Sequence, residues 1–180
     1  METLKAITER RSIRQYQDKP VTAEQIQEII DIARFSPTWK NSQTVRYYAV
    51  LDKELKDKIA EEGTLNFSKN ANNIRSASAL IVLATVDGIA GYEKDGTPTT
   101  DKGAHWQSFD AGIACQNVCL SAYDKGLGTL IMGIYDEKKI AELIALPEGQ
   151  SISALIAIGY ADSTPTAPKR KELDEILTIL

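Results

Sequence analysis

Phe109-Asp110-Ala111-Gly112-Ile113-Ala114-Cys115-Gln116-Asn117-Val118-Cys119-Leu120-Ser121-Ala122-Tyr123 is small or apolar on nearly every side of a helical wheel. It sits in a helical run over 104–125, and a helix that is apolar all round must be buried all round. A chain of 180 residues has little material to wrap it, so a partner subunit is the expected source of the missing cover. Outward from this helix, segments 77–86 and 152–160 are apolar on both alternating faces, the pattern of interior strands covered by helices on two sides. Shorter strands are expected at 44–51 and 129–132. Helical runs are expected at about 2–9, 53–62 and 136–146, the last closed before Pro147. A further helix opens at the capping box Thr22-Ala-Glu-Gln25, with Ile26, Ile29, Ile30 and Ala33 on one stripe and Glu24, Glu28 and Asp31 on the other. It stops at Phe35-Ser36-Pro37, because a residue before proline is pushed out of helical geometry. No repeat, linker or low-complexity tract divides the chain, so residues 1–180 are read as a single domain.

At 43% hydrophobic and 26% charged residues, the composition excludes a disordered, collagen-like or disulfide-stapled chain. The longest apolar stretch, Ala77 to Val86, is half of the roughly 20 residues that a spanning helix needs. The opening Met1-Glu-Thr-Leu-Lys-Ala is too polar for a signal peptide. The expectation is a soluble, cytoplasmic protein without a membrane partner. A net charge of −4, from 25 acidic and 21 basic residues, disfavours nucleic acid as a partner. Two basic clusters depart from that average, Arg10-Arg11-Ser12-Ile13-Arg14 and Lys169-Arg170-Lys171. They are either solvated charge runs or the two halves of a site for a small anion. Cys115 and Cys119 lie four apart in a helix, which is poor disulfide geometry. With His105 the only histidine, a metal site lacks ligands, and both cysteines are expected as small buried residues. The polar stretch 87–103 holds Gly88, Gly91, Gly96, Pro98 and Gly103 and has no periodicity. It is a lid or binding loop, or else a tolerated insertion.

Most catalytic signatures fail here. Gly126-Leu-Gly128-Thr-Leu-Ile-Met-Gly133 has the wrong spacing for a dinucleotide loop, and its glycines follow a helix and enter a strand, opposite to what a pyrophosphate cradle requires. There is no Walker loop and no Gly-x-Ser-x-Gly elbow, and one histidine gives little support to a hydrolase. If the protein is an enzyme, its reactive atoms are borrowed from a cofactor. A phosphorylated, electron-carrying ring would use both basic clusters: its phosphate takes charge-assisted hydrogen bonds, and a ring made anionic by reduction is stabilised by a nearby cation.

Four motifs in register carry a resemblance. The run Ile7-x-x-Arg10-Arg11-Ser12-Ile13-Arg14-x-Tyr16 resembles the opening of the nitroreductase family of FMN-dependent oxidoreductases. The segment Ala33-Arg34-Phe35-Ser36-Pro37-Thr38-Trp39-Lys40-Asn41-Ser42-Gln43 is similar to the family's next motif. Asp110-Ala-Gly-Ile-Ala-Cys-Gln-Asn117 with Lys125-Gly-Leu-Gly128 resembles its central helix. Ile156-Ala-Ile-Gly-Tyr160 followed by Pro168-Lys169-Arg170-Lys171 resembles its closing motif. The resemblance implies an α+β, three-layer fold with a central mixed sheet covered by helices, in an intertwined homodimer with FMN at the subunit interface. It places Arg10, Arg11, Ser12 and Arg14 on the FMN of one subunit, and Lys169 and Lys171 on its phosphate; Lys171 stands where the family usually has arginine. Thr38, Trp39 and Asn41 would reach the partner's flavin, although Trp39 replaces a small residue and is either interface packing or a wall over the ring. Asn70 or Asn73 falls where a flavin-edge amide occurs. Met132-Gly133 enters the position whose backbone approaches flavin N5, and Met132 replaces a frequent acidic residue.

The activity so implied is hydride transfer from NADH or NADPH to an electron-poor small-molecule acceptor, such as a nitroaromatic or quinone, by a ping-pong mechanism. No side chain need act as a catalytic acid, because the chemistry lies at FMN N5. The alternatives are a specialised flavin enzyme (a dedicated dehydrogenase, a dehalogenase or a flavin-fragmenting enzyme) and a non-catalytic flavin-binding protein. The apolar end Ile176-Leu-Thr-Ile-Leu180 is compatible with a turn on its own subunit or a strand on a partner.

Overall fold

The computed structural model describes residues 3–180. The chain runs α1 (Thr3–Glu9), α2 (Ala23–Ala33), a 3-10 turn (Trp39–Asn41), β1 (Val45–Val50), α3 (Lys53–Glu62), α4 (Ser68–Ser76), β2 (Ala79–Val86), α5 (His105–Asp124), β3 (Gly128–Met132), α6 (Glu137–Leu143), β4 (Gln150–Gly159) and a second 3-10 turn (Leu173–Glu175). The first helix, expected over 2–9, is seen from Thr3, since residue 2 lies outside the described residues. None of the helices among the described residues is long and apolar enough to cross a membrane.

The strands form one sheet in the order β1-β2-β4-β3, each neighbouring pair antiparallel. An isolated parallel bridge between Ser12 and Thr129 lays the N-terminal arm beside the β3 edge, while the four strands, expected as a mixed sheet, are antiparallel throughout. The Ile13 amide fixes that arm by donating to the Thr129 carbonyl at 2.9 Å. The basic cluster is thereby laid along β3.

Alternation along β2 and β4 sorts their side chains into two layers. Ile81, Leu83, Ile156 and Ile158 meet Ile26 and Ile29 of α2 and Val118 and Cys119 of α5. Leu80, Val82, Leu155 and Ala157 meet Ile59, Ile74 and Ile140 from α3, α4 and α6. The apolar runs expected to be covered on both sides are so covered, giving three layers. Each fully buried aliphatic side chain contributes about 1.5–3 kcal/mol relative to exposure.

Local chemistry sets the helix ends. In α2, Thr22 accepts the Gln25 amide at 3.2 Å while the Gln25 side chain accepts the Thr22 amide at 3.0 Å. Asp52 opens α3 by accepting the Leu55 amide, and Asp136 opens α6 by accepting the Lys139 amide. Helix α6 stops at Leu143, short of the expected 146, because Ala145 turns left-handed at φ 50°. The Leu146 amide then reaches back to the Ala141 carbonyl at 2.9 Å, closing the helix with a Schellman turn. Helix α5 closes in the same way at Gly126 (φ +76°), where the Leu127 amide bonds the Ala122 carbonyl at 2.9 Å.

One feature lies outside the sequence expectations. Helix α4 carries buried Asn70, Ala71, Asn73 and Ile74 on one face, so asparagines occupy half of what an apolar stripe would hold. Helix α5 is enclosed by its own chain through Ala111, Ala114, Cys115, Val118, Cys119 and Ala122. Its opposite face, with Gly112, Ile113 and Gln116, borders an open surface. The two cysteines are free and buried. From Asp162 onward every residue is exposed, so the C-terminal segment adds nothing to the core.

Candidate functional site

The edge of the sheet at β3 carries a cleft of about 710 Å³. Ser12, Arg14 and Gln15 line it from the N-terminal arm, Phe67, Lys69, Asn70 and Asn73 from the start of α4, and Leu130 to Ile134 from β3 and the turn beyond it. Register explains the gathering, since the Ser12–Thr129 bridge sets the arm beside β3 while the Asn70 side-chain amide donates to the Ile134 carbonyl at 2.9 Å. A Cβ built on Gly133 would meet nothing within 4 Å, so the main chain there faces open space. Gly128 is different: a Cβ there would lie 2.4 Å from Ile13 Cγ1. That glycine is what lets the arm approach β3.

A second, smaller cavity of about 190 Å³ adjoins β3 on the side of Gly128 and Thr129. Arg10 and Arg11 line it with Glu9, Tyr123, Ala161 and Thr164. Arg11 Nη1 donates to the Thr8 carbonyl at 2.7 Å and to the Arg10 carbonyl at 2.8 Å. Arg10 Nε is buried without a hydrogen-bond partner, an unspent charged donor. Arg10 also faces the cysteine pair. The hydrogen bond between the thiols raises Cys115 and lowers Cys119 to about 7, with Thr129 and the Arg10 guanidinium adding to the fall at Cys119.

Thr38, Trp39 and Asn41 lie elsewhere. They precede β1, at the other edge of the sheet. Lys40, Asn41 and Gln43 all take left-handed backbone angles, at φ 46°, 56° and 50°, a concentration of strain in non-glycine residues. The turn is held by the Trp39 amide donating to Asp110 Oδ2 at 2.9 Å and the Gln43 amide donating to Thr38 Oγ1 at 3.0 Å. Burial raises the Asp110 carboxyl, and the Trp39 amide partly offsets this. Trp39 Nε1, Ser42 Oγ and Thr44 Oγ1 are buried without partners. The 87–103 stretch folds against this turn, with Lys40 Nζ 3.0 Å from Glu93 Oε1.

The structure therefore gathers Ser12, Arg14, Asn70, Met132 and Gly133 at one cleft and sets Arg10 and Arg11 in a second cavity on the same arm. Thr38, Trp39 and Asn41 are apart from both. Lys169 and Lys171 line neither cavity; Lys169 is exposed and lies 3.8 Å from Glu172. Ser163, Thr164 and Pro165, earlier in the same tail, do border the cavities. Sequence reasoning missed Lys69 and Phe67 because it missed α4, and it missed Trp106, whose ring lies 4.7 Å from that of Trp39.

The profile of the nitroreductase family matches residues 7–160. The FMN reductase (NAD(P)H) of Bacillus subtilis is 31% identical over 182 residues, an alignment covering 93% of this chain and 70% of that protein. The NADPH-flavin oxidoreductase of Vibrio harveyi is 28% identical over 176 residues, covering 93% of this chain and 69% of that one. Among solved structures, a nitroreductase family protein from Streptococcus pneumoniae superposes with a TM-score of 0.86 at 21% identity, covering 99% of this chain and 100% of its own. The arm laid along β3, the three-layer core and the profile match across most of the sequence converge: the chain belongs to the nitroreductase family.

Proposed function

We propose that this chain is an FMN-dependent oxidoreductase that takes hydride from NADH or NADPH and passes it to an electron-poor acceptor, a nitroaromatic or a quinone, in two exchanges at one shared site. The observation that carries the reading is the arrangement along β3. A wide cleft with an open main chain at Gly133 and a small cavity holding two arginines, one with an unpartnered buried Nε, both border β3 and the N-terminal arm. Those features fit a mononucleotide with a planar ring at one end and a phosphate at the other. The names of the relatives, FMN reductase and NADPH-flavin oxidoreductase, support the same cofactor and donors.

When bound, FMN would supply the two-electron chemistry that links hydride donor to acceptor. Arg10 and Arg11 hold the phosphate, where charge-assisted hydrogen bonds are strongest. Arg14 and Lys69 bring positive charge to the cleft wall, which stabilises the negative charge that reduction adds to the ring. Asn70 steadies the turn after β3 through the Ile134 carbonyl. Phe67, Leu130 and Met132 give that wall an apolar lining that limits water at the reacting face. Thr38, Trp39 and Asn41 act from a second subunit of a homodimer, whose interface also covers the open face of α5. Lys169 and Lys171 close on the phosphate from the tail.

The test is direct. The purified protein, reconstituted with FMN, is expected to retain the flavin through gel filtration, to be reduced anaerobically by NADH or NADPH, and to be reoxidised by nitroaromatics or quinones. Arg10→Gln is expected to weaken FMN binding about tenfold or more. A protein that takes up no FMN overturns the reading. One that holds FMN but is reduced by neither nicotinamide belongs instead among the specialised flavin enzymes.

A further inference from the structure

Two polar side chains of α5, Asp110 and Asn117, have no part in the flavin reading above. They stand seven residues apart, two turns and roughly 10 Å along one face of the helix. Each holds one point of the segment that leads from α2 into the Trp39 turn. The Trp39 amide donates to Asp110 Oδ2 at 2.9 Å, and Asn117 Nδ2 donates to Ser36 Oγ at 2.8 Å. Ser36 Oγ in turn donates to the Ala33 carbonyl at 2.6 Å. The end of α2, the turn and α5 are thereby joined through side-chain bonds at both ends of the segment.

The bond to Asp110 is made where the backbone resists its own shape. Lys40, Asn41 and Gln43 are left-handed at φ 46°, 56° and 50°, and such strain persists only where the surroundings over-determine it. Asp110 is 2% exposed, and a buried carboxylate works against folding. Burial raises it, and the Trp39 amide is the group that offsets this. An asparagine would fill the same space and accept the same amide without burying a charge. The carboxylate gives up that stability for a charge-assisted bond, about twice as strong as a neutral one. A group that costs stability while holding a strained turn is tied to what the turn presents.

We propose that Asp110 is a positioning residue for the cofactor: with Asn117 as a second anchor, it fixes the Trp39 turn in the shape that offers Thr38 and Asn41 to a partner subunit's flavin. The inference rests on the flavin reading above. Asp110 itself touches no flavin. It acts by removing freedom that the turn would otherwise lose when FMN binds.

The test looks for two effects of opposite sign in Asp110→Asn, measured on the full chain at pH 7. Urea unfolding is expected at higher denaturant than in the parent, while the Kd for FMN, from flavin fluorescence titration, rises about fivefold. A group that serves only the core would not separate the two. Both tryptophans of the chain lie at this turn, with Trp39 and Trp106 ring centroids 4.7 Å apart. Intrinsic fluorescence of the flavin-free protein therefore reports the turn directly, and acrylamide is expected to quench it more strongly in Asp110→Asn. If that variant does not fold, Ser36→Ala removes the Asn117 anchor instead, with Kd expected to rise about threefold. An unchanged Kd in the variant that folds, or unchanged quenching in Asp110→Asn, overturns the positioning role and leaves the flavin reading standing. So does a loss of stability alongside affinity in Asp110→Asn. A parent protein that takes up no FMN removes both.

Discussion

Ala145 sits at φ 50° at the end of α6, in the left-handed region that costs a residue with a Cβ about 1–2 kcal/mol. Glycine there is expected to raise stability by about 1 kcal/mol, net of the extra freedom it gives the unfolded chain. Gly126 does the same job at the end of α5 at φ +76°, so Gly126→Ala is expected to lose a comparable amount; urea unfolding of the two variants checks both signs. Asp110 makes a pH-dependent prediction. Burial raises its carboxyl in the folded state, so the folded chain binds that proton more readily than the unfolded one. Its charge therefore opposes folding above the folded pKa, and the penalty fades as pH falls through that value toward the ordinary carboxylate range. Asp110→Asn keeps an oxygen for the Trp39 amide without the charge. It is expected to be more stable than the parent at pH 7, with the gap closing on acidification; a gap that widens toward pH 4 contradicts the assignment. Other carboxylates, such as Asp57 and Glu93, lie below their ordinary values through bonds to Lys53 and to Thr99 and Lys40. They act with the opposite sign, and they cancel in the difference between the two proteins.

At the scale of elements, legibility followed the physics that shaped each one. Strands β2 and β4 could be read because both faces are apolar, and both faces are buried. The glycines at 126 and 128 could be separated from a nucleotide loop by their place after a helix; the structure gives each a different job, a helix stop and a close approach to Ile13. Helix α4 could not be read. Its buried face is carried by Asn70 and Asn73, residues that favour caps and turns over helix interiors, and Phe67 supplies no side-chain cap. Burial and the Asn70 bond to Ile134 hold it instead. The half of the site on the N-terminal arm was legible as a charge cluster, while the half on α4 was legible only through resemblance. The arm also makes the sharpest element-level prediction. Gly128→Ala drives a Cβ against Ile13, which must shift the arm and separate the Arg10–Arg14 cluster from β3. FMN binding is expected to fall about tenfold or more in a chain that still folds, as read by flavin fluorescence titration and circular dichroism. Unchanged affinity would mean that the arm does not depend on this contact.

In the whole molecule, the groups assigned to the flavin stand at two edges of one sheet: the arginine arm and Gly133 by β3, the Trp39 turn by β1. In the proposed homodimer a second copy would let them meet. The same step covers the apolar groups a lone chain leaves in water, among them Phe109 at 59% and Ile179 at 87% exposure, and an interface of that kind follows closed twofold symmetry most often. The tail bearing Ile179 is exposed and folds into a 3-10 turn at Leu173–Glu175, so both the turn and the strand-on-partner alternatives stand. Shared sites of this kind have a consequence that self-contained sites lack. Arg10→Gln damages the β3 side and Trp39→Ala combined with Asn41→Ala damages the β1 side, so each homodimer has two defective sites. Mixing the two chains by co-expression gives heterodimers in which one site takes both lesions and the other takes none. With random pairing, half of the dimers are mixed and half of their sites are intact, so about a quarter of wild-type flavin retention is expected to return. Two chains each carrying a site complete within itself would recover nothing on mixing, because every subunit would keep its own lesion, and the absence of recovery in stable dimers would rule out a site built from both subunits.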